Sequence, residues 1–266
     1  MLTICDAMKK ILSTLLCLLL SSCTLATGVN QPTEDRKAAK EPHTGKTLTA
    51  VQNYLLLARQ GDVKAQCLLG SIYTAALNYK EALKWYGMAA KQGDPGAQYH
   101  LGIMYIEGKG VKKDRKKAFN WFLKSAEQGN SPAQVNLGFI YIDSKDYKKA
   151  YFWYLKAAEQ GDSGAPYFLG SMYEHGWGVL QDYVTAYAWY NVSASNGYPW
   201  APDARDGIRK RMTPDQIGEG QALSKKIYNG IYHKRNTPTD KSPKALKKGQ
   251  LTNNKNTILH PKHAVA

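Results

Sequence analysis

A dipeptide sets the terms for this chain. Gln-Gly or Asn-Gly recurs with its glycine at Gly61, Gly93, Gly129, Gly161 and Gly197, at spacings of 32, 36, 32 and 36 residues. Self-similarity at a period of roughly 20 to 50 residues is the signature of stacked supersecondary units rather than of one mixed core. From each of the first four glycines to the tyrosine of the next Leu-Gly-x-x-Tyr is 12 residues, giving Tyr73, Tyr105, Tyr141 and Tyr173. From Ala82, Ala118, Ala150 and Ala186 to the following glycine is always 11. All length variation therefore falls between tyrosine and alanine, where the two longer repeats carry Gly108-Lys109-Gly110-Val111 and Gly176-Trp177-Gly178-Val179. Four extra residues confined to one place mark a loop, and the constant stretches mark helices.

Spacing gives the helices. Ala97, Leu101, Met104 and Tyr105 lie at i, i+4, i+7 and i+8, one face of a helix. Ala118, Trp121, Phe122, Ser125 and Ala126 do the same for a second helix. The recurring glycine sits where such a helix ends in the left-handed conformation. Asp62, Asp94, Asn130 and Asp162 follow it, placed to cap the next helix, and Pro95 suits a first helical turn. Gly70, Gly102, Gly138 and Gly170 allow close helix approach. Each repeat is a helix pair whose apolar face is incomplete alone, so neighbours must stack.

The run Leu101-Gly102-x-x-Tyr105-x-x-Gly108-x-Gly110-Val111-x-x-Asp114, followed by Ala118-x-x-Trp121-Phe122-x-x-Ser125-Ala126-x-Gln128-Gly129, resembles the Sel1-like repeat. So does the run from Leu169 through Asp182, Ala186, Trp189 and Tyr190 to Gly197; Leu69 to Gly93 and Leu137 to Gly161 match without the glycine loop. The resemblance implies an all-α fold, an α/α solenoid of stacked helix pairs related to tetratricopeptide arrays. Four repeats are expected over 63–94, 95–130, 131–162 and 163–198. A capping helix is expected over 47–62, because Ala50, Tyr54 and Ala58 keep the register of Ala82, Tyr86 and Ala90. Two closing helices are expected within 199–232, the second opened by the capping box Thr213-Pro214-Asp215-Gln216.

Residues 1–22 read as a signal peptide: Lys9 and Lys10, then the apolar run Ile11 to Leu20, then small residues. A start at Met8 gives a tidier signal. The apolar run is ten residues, half the ~20 that a bilayer span needs, which excludes a multi-pass membrane protein. Leu20-Ser21-Ser22-Cys23 resembles a bacterial lipobox, which implies a lipid anchor on Cys23, with Thr24 pointing to the outer membrane facing the periplasm. The alternative is an ordinary signal and a soluble periplasmic or secreted chain. With Cys5 and Cys17 removed and Cys23 acylated, Cys67 stands alone, a small residue on a helix. Residues 23–46 read as a flexible tether and 233–266 as a basic, disordered tail. Residues 234 to 266 carry seven Lys and one Arg against one Asp, about half of the chain's net charge of +15. The tail either solubilises or contacts an anionic surface; nucleic acid is a poor candidate behind a secretion signal.

Catalytic motifs are decoys. Gly161-Asp162-Ser163-Gly164 resembles a protease nucleophile segment but occupies the repeat junction, and Gly45-Lys46-Thr47 lacks the glycine and strand of a phosphate loop. The six histidines have no ligand spacing, so neither a metal nor a cofactor is expected. On the first helices, outside the repeated core, equivalent positions hold Cys67, Tyr99, Val135 and Tyr167; Leu68, His100, Asn136 and Phe168; and Ser71, Ile103, Phe139 and Ser171. Tyr99, His100, Ile103, Phe139, Tyr167 and Phe168 suit a partner-binding groove, or else the array curls enough to bury them against adjacent helices. The expected function is a non-enzymatic adaptor binding a protein in the bacterial envelope. Some lipoproteins with such repeats resemble immunity proteins against phospholipase effectors of the type VI secretion system, a reading the repeats permit without demanding. The alternative is an envelope hydrolase of the β-lactam or cell-wall class.

Overall fold

The computed structural model describes residues 44–236, with side chains over 51–231. Cys23, the basic tail beyond Asn236 and the side chains of His43, His233, His260 and His263 lie outside the described residues. All regular structure among the described residues is helical: α1 (Thr44–Arg59), α2 (Val63–Ala75), α3 (Tyr79–Lys91), α4 (Pro95–Glu107), α5 (Arg115–Glu127), α6 (Ser131–Asp143), α7 (Tyr147–Glu159), α8 (Ala165–His175), α9 (Tyr183–Ser195), α10 (Ala201–Arg209) and α11 (Pro214–Asn236). Four helix pairs, α2–α3 to α8–α9, carry the repeats. The chain divides into two compact units between Ala133 and Gln134, within α6.

Each repeat junction is built from three residues. At the end of α3, the Gly93 N–H donates to the Ala90 carbonyl (3.1 Å) and the Asp94 N–H to the Ala89 carbonyl (3.2 Å). Gly93 has φ +95°, which closes a Schellman motif. The Asp94 carboxylate then accepts from Ala97 N–H at 2.6 Å and caps α4. Asp62 and Asn130 cap α2 and α6 in the same way. Asp162, expected to cap α8, does not: that helix begins two residues later than its counterparts, with Gly164 at the N-cap, and Asp162 instead closes the turn ahead of it by accepting from the Gly164 and Ala165 N–H groups. At the other three junctions one residue thus ends one helix and starts the next, which fixes the turn angle.

Within each pair, a ring from the second helix lies on a glycine of the first. A Cβ at Gly70 would meet the Tyr86 ring at 2.6 Å, and one at Gly170 the Tyr190 ring at 2.8 Å. Gly102 receives Phe122 and Gly138 receives Tyr154. These four rings are buried, and Ala82, Ala118, Ala150 and Ala186 are fully buried beside them. In the N-terminal unit α1 packs on α2, α2 on α3, α3 on α4 and α4 on α5. In the C-terminal unit α7 packs on α8, α8 on α9, and α9 on both α10 and α11.

The ends differ in extent from the expected boundaries. α1 starts at Thr44, three residues inside the stretch read as tether, and α11 runs to Asn236, past 232. No glycine or proline interrupts the chain between Ile231 and Asn236. The capping box of α11 forms in both directions: Gln216 N–H donates to Thr213 Oγ1 (3.3 Å) and Thr213 N–H to Gln216 Oε1 (2.9 Å).

Candidate functional site

Tyr99, His100 and Ile103 lie on α4, Phe139 on α6, and Tyr167 and Phe168 on α8. In the N-terminal unit His100 stacks on Tyr86 (4.6 Å between centroids, 18° between planes), and Tyr99 meets His100 at 5.3 Å and Phe122 at 6.0 Å. Solvent reaches the outer edge of His100 while the ring covers Tyr86, and this desolvation pushes its pKa below the usual imidazole value. Ile103 is half-buried one turn further along α4.

In the C-terminal unit the aromatic residues form a continuous run. Phe139 meets Phe168 edge-on at 4.6 Å, Phe168 stacks on Tyr154 at 5.2 Å, and Tyr167 joins Phe168, Tyr190 and Tyr198 at 5.2–5.4 Å. Tyr198 then meets Trp200 at 5.4 Å. The two ends are open, Phe139 being 42% and Trp200 64% exposed, while Tyr167 and Phe168 are half-buried. Both sequence alternatives therefore contribute: the rings in the middle support one another, and those at the ends face water. Edge-to-face and offset pairs of this kind hold ring positions without a further backbone contact.

Tyr198 and Trp200 were missed by sequence reasoning because they follow the last repeat glycine and have no counterpart to align with. Also missed was a glutamine pair in each of three repeats. Gln66, Gln98 and Gln134 on the first helices are buried, and each accepts from the glutamine that precedes the junction glycine: Gln92 (2.8 Å), Gln128 (2.8 Å) and Gln160 (2.6 Å). Gln66 and Gln98 also donate to the Ala58 and Ala90 carbonyls. The recurring Ala-Gln at 65–66, 97–98 and 133–134 was the available signal. The fourth repeat has Pro166 and Asn196 there, and the pair is lost.

The reactive side chains are occupied structurally. Cys67 donates its S–H to the Asp94 carboxylate (3.1 Å), and burial with that carboxylate pushes its pKa up to about 12, which keeps it a thiol rather than a nucleophilic thiolate. In the Gly-Asp-Ser-Gly decoy, Asp162 accepts from the Gly164 and Ala165 N–H groups, and the Ser163 carbonyl accepts from Ser193 Oγ at 2.7 Å. Burial and a 2.6 Å hydrogen bond to Glu174 raise the pKa of Tyr190. Among the described residues no group of three His, Cys, Asp or Glu side chains could hold a metal ion. No described helix is long and apolar enough to cross a membrane.

Stacked helix pairs with laterally supported aromatic side chains define a repeat scaffold, an α/α solenoid. The chain belongs to the Sel1 repeat family: the Sel1 repeat is matched at residues 63–94, 95–130, 131–162 and 165–198, half of the sequence. The chain is similar to a crystal structure of a protective antigen of uropathogenic Escherichia coli, with 33% identity and a TM-score of 0.64. That match covers 80% of this chain and 47% of the antigen, so the chain spans about half of the antigen's length. It is similar as well to a Sel1 repeat protein of Oxalobacter formigenes, with 28% identity over 66% of this chain and 84% of that one and a TM-score of 0.55. An immunity protein of Pseudomonas aeruginosa matches at 23% identity over 59% of this chain and 74% of its own, with a TM-score of 0.28. No curated protein sequence matches. Sel1 repeat proteins bind protein partners, and the fold is an interaction fold.

Proposed function

We propose that this chain is a non-catalytic adaptor of the bacterial envelope, anchored through an acylated Cys23 at the outer membrane and facing the periplasm. Its partner is a protein that docks on the first-helix aromatic faces. One observation carries the reading: aromatic side chains outside the repeated core are held in place by neighbouring rings yet open to water at Phe139 and Trp200. Fixed aromatic area loses little entropy on binding, which is what an interface anchor requires. The finer reading is an immunity function, in which the partner is a secreted phospholipase effector that the adaptor neutralises.

The test is crosslinking and pull-down from intact envelopes, comparing the parent chain with a Tyr99→Ala/Phe139→Ala variant. Loss of one captured partner with unchanged helicity supports the docking face; an unchanged set of partners rejects it. Cys23→Ser should release the chain from membranes, and continued membrane fractionation counts against acylation. Effector toxicity that rises when the chain is deleted supports the immunity reading. Turnover of a β-lactam or cell-wall substrate, lost on one substitution, would replace the adaptor reading with a hydrolase.

A further inference from the structure

The two long links share a backbone and differ in charge. In the second repeat the link and first turn of α5 read Gly108-Lys109-Gly110-Val111-Lys112-Lys113-Asp114-Arg115-Lys116-Lys117; in the fourth repeat the same positions read Gly176-Trp177-Gly178-Val179-Leu180-Gln181-Asp182-Tyr183-Val184-Thr185. Both have their two glycines at φ between +69° and +76°, and in both the aspartate caps the next helix. The fold therefore makes no demand for lysine here. Yet Lys112, Lys113, Lys116 and Lys117 stand where the other link has Leu180, Gln181, Val184 and Thr185, and all four are exposed.

Their position is unfavourable for the helix. The first turn of α5 has no acidic residue and three basic ones, opposed to the positive end of the helix dipole. The stretch from 107 to 117 holds six cations against two carboxylates; Lys117 has a loose ion pair with Asp114 (3.7 Å) and lies over the Tyr105 ring, and Lys109 has a close ion pair with Glu107 (2.6 Å). A cluster kept against its own helix and absent from its structural twin points to an external anion.

We propose that this cluster is a docking surface for the phosphate-bearing face of an anionic lipid bilayer. The composition selects lipid over an acidic protein. Five of the six cations are lysine, a strongly hydrated point charge on a flexible stem, whereas protein interfaces are enriched in arginine and depleted in lysine. A surface of 4–8 such cations attracts an anionic bilayer additively, about fivefold in partitioning per charge.

The experiment is sedimentation with phosphatidylglycerol/phosphatidylethanolamine vesicles at 0.1 M salt, using the chain from residue 23 onward with Cys23→Ser, so that neither the apolar run Ile11 to Leu20 nor an acyl group contributes. A Lys112→Gln/Lys113→Gln/Lys116→Gln/Lys117→Gln variant is compared with a charge-matched Lys241→Gln/Lys244→Gln/Lys247→Gln/Lys248→Gln variant in the tail. The cluster variant should lose binding by roughly 600-fold and the tail variant by far less. A Lys112→Gln/Lys113→Gln variant, outside the helix, should lose about tenfold or more and serves if the fourfold variant folds poorly. Equal losses from cluster and tail would reduce the effect to net charge and overturn the proposal. Failure of the parent to bind the vesicles, or tighter binding to polyglutamate than to the vesicles at the same salt, would overturn it too.

Discussion

The first and third repeats turn from one helix to the next through a short link, and the second and fourth through a long one; each solution places its strain differently. In the short links, Leu77 (φ +58°) and Lys145 (φ +60°) occupy the left-handed region without being glycine. Asn78 and Asp146 follow at once and cap the second helices. In the long links two glycines absorb the positive φ values, and the extra residues reach back to the preceding repeat. Gly110 packs on the Tyr79 backbone at the start of α3, and Gly178 on Tyr147 at the start of α7. A long link thus buttresses the short repeat before it. The alternation of 32 and 36 residues makes the structural period two repeats, because a short link has no such reach.

Breaking the buttress should have the largest effect. A Cβ at Gly110 would stand 2.5 Å from the Tyr79 carbonyl oxygen, at a φ that already disfavours a side chain. Gly110→Ala should cost about 3 kcal/mol, and hydrogen exchange should show the loss in α3 as well as in the link. Gly176→Ala is the matched control: it has the same sign of φ but its nearest atoms are 3.6 Å away, so only the backbone term of about 1 kcal/mol remains. Equal effects would show that the contact with α3 contributes nothing.

Next in size is the glutamine pair. Gln98→Ala removes one hydrogen bond each from the Ala90 carbonyl, which keeps the Gly93 N–H, and from Gln128, which keeps the Lys124 carbonyl, and should cost about 1 kcal/mol in urea unfolding. Smaller again, and opposite in sign, is Leu77→Gly. Leu77 is exposed and in the left-handed region, so glycine there removes strain at little packing cost and should raise stability by about 0.5 kcal/mol.

How much of this was visible in the sequence follows the range of each interaction. The junctions were legible because they close locally: a glycine at C′ and an aspartate at the N-cap carry their own chemistry within three residues. The ring-on-glycine contacts were half legible. Gly70, Gly102, Gly138 and Gly170 announced a close approach, but nothing local named Tyr86 or Phe122 as what approaches. The glutamine pairs join residues 26 to 30 apart and use a polar side chain that reads as surface, so they stayed hidden. The strain at Leu77 and Lys145 was invisible for the converse reason, since residues that do not suit a left-handed turn give no sign of one. For the aromatic face, the sequence identified Tyr99, His100, Phe139, Tyr167 and Phe168 from their departure from the repeat. It could not tell rings that lean on one another from rings open to water, because that depends on the angle between helix pairs.

An effect absent at neutral pH separates the first repeat from the others in alkali. Only there does the position shared by Cys67, Tyr99, Val135 and Tyr167 hold a thiol, and burial with the Asp94 carboxylate raises its pKa from the model-peptide value of 9.0 to about 12. A folded-state pKa above the unfolded one means the folded chain keeps its proton longer. The contribution is complete below pH 9 and is lost as the pH rises towards 12, because the unfolded chain alone gains from ionisation in that window. Buried tyrosines Tyr86, Tyr154 and Tyr190 are shifted the same way in three of the four repeats, so all should weaken in alkali, the first beginning about one pH unit earlier. Cys67→Val should remove that early phase and leave the later one unchanged in a pH series of melting temperatures. Iodoacetamide should label Cys67 slowly in the native chain at pH 9 and rapidly in urea. Fast native labelling would mean that the thiol is neither shielded nor held by Asp94, and that the first repeat is looser than its capping geometry implies.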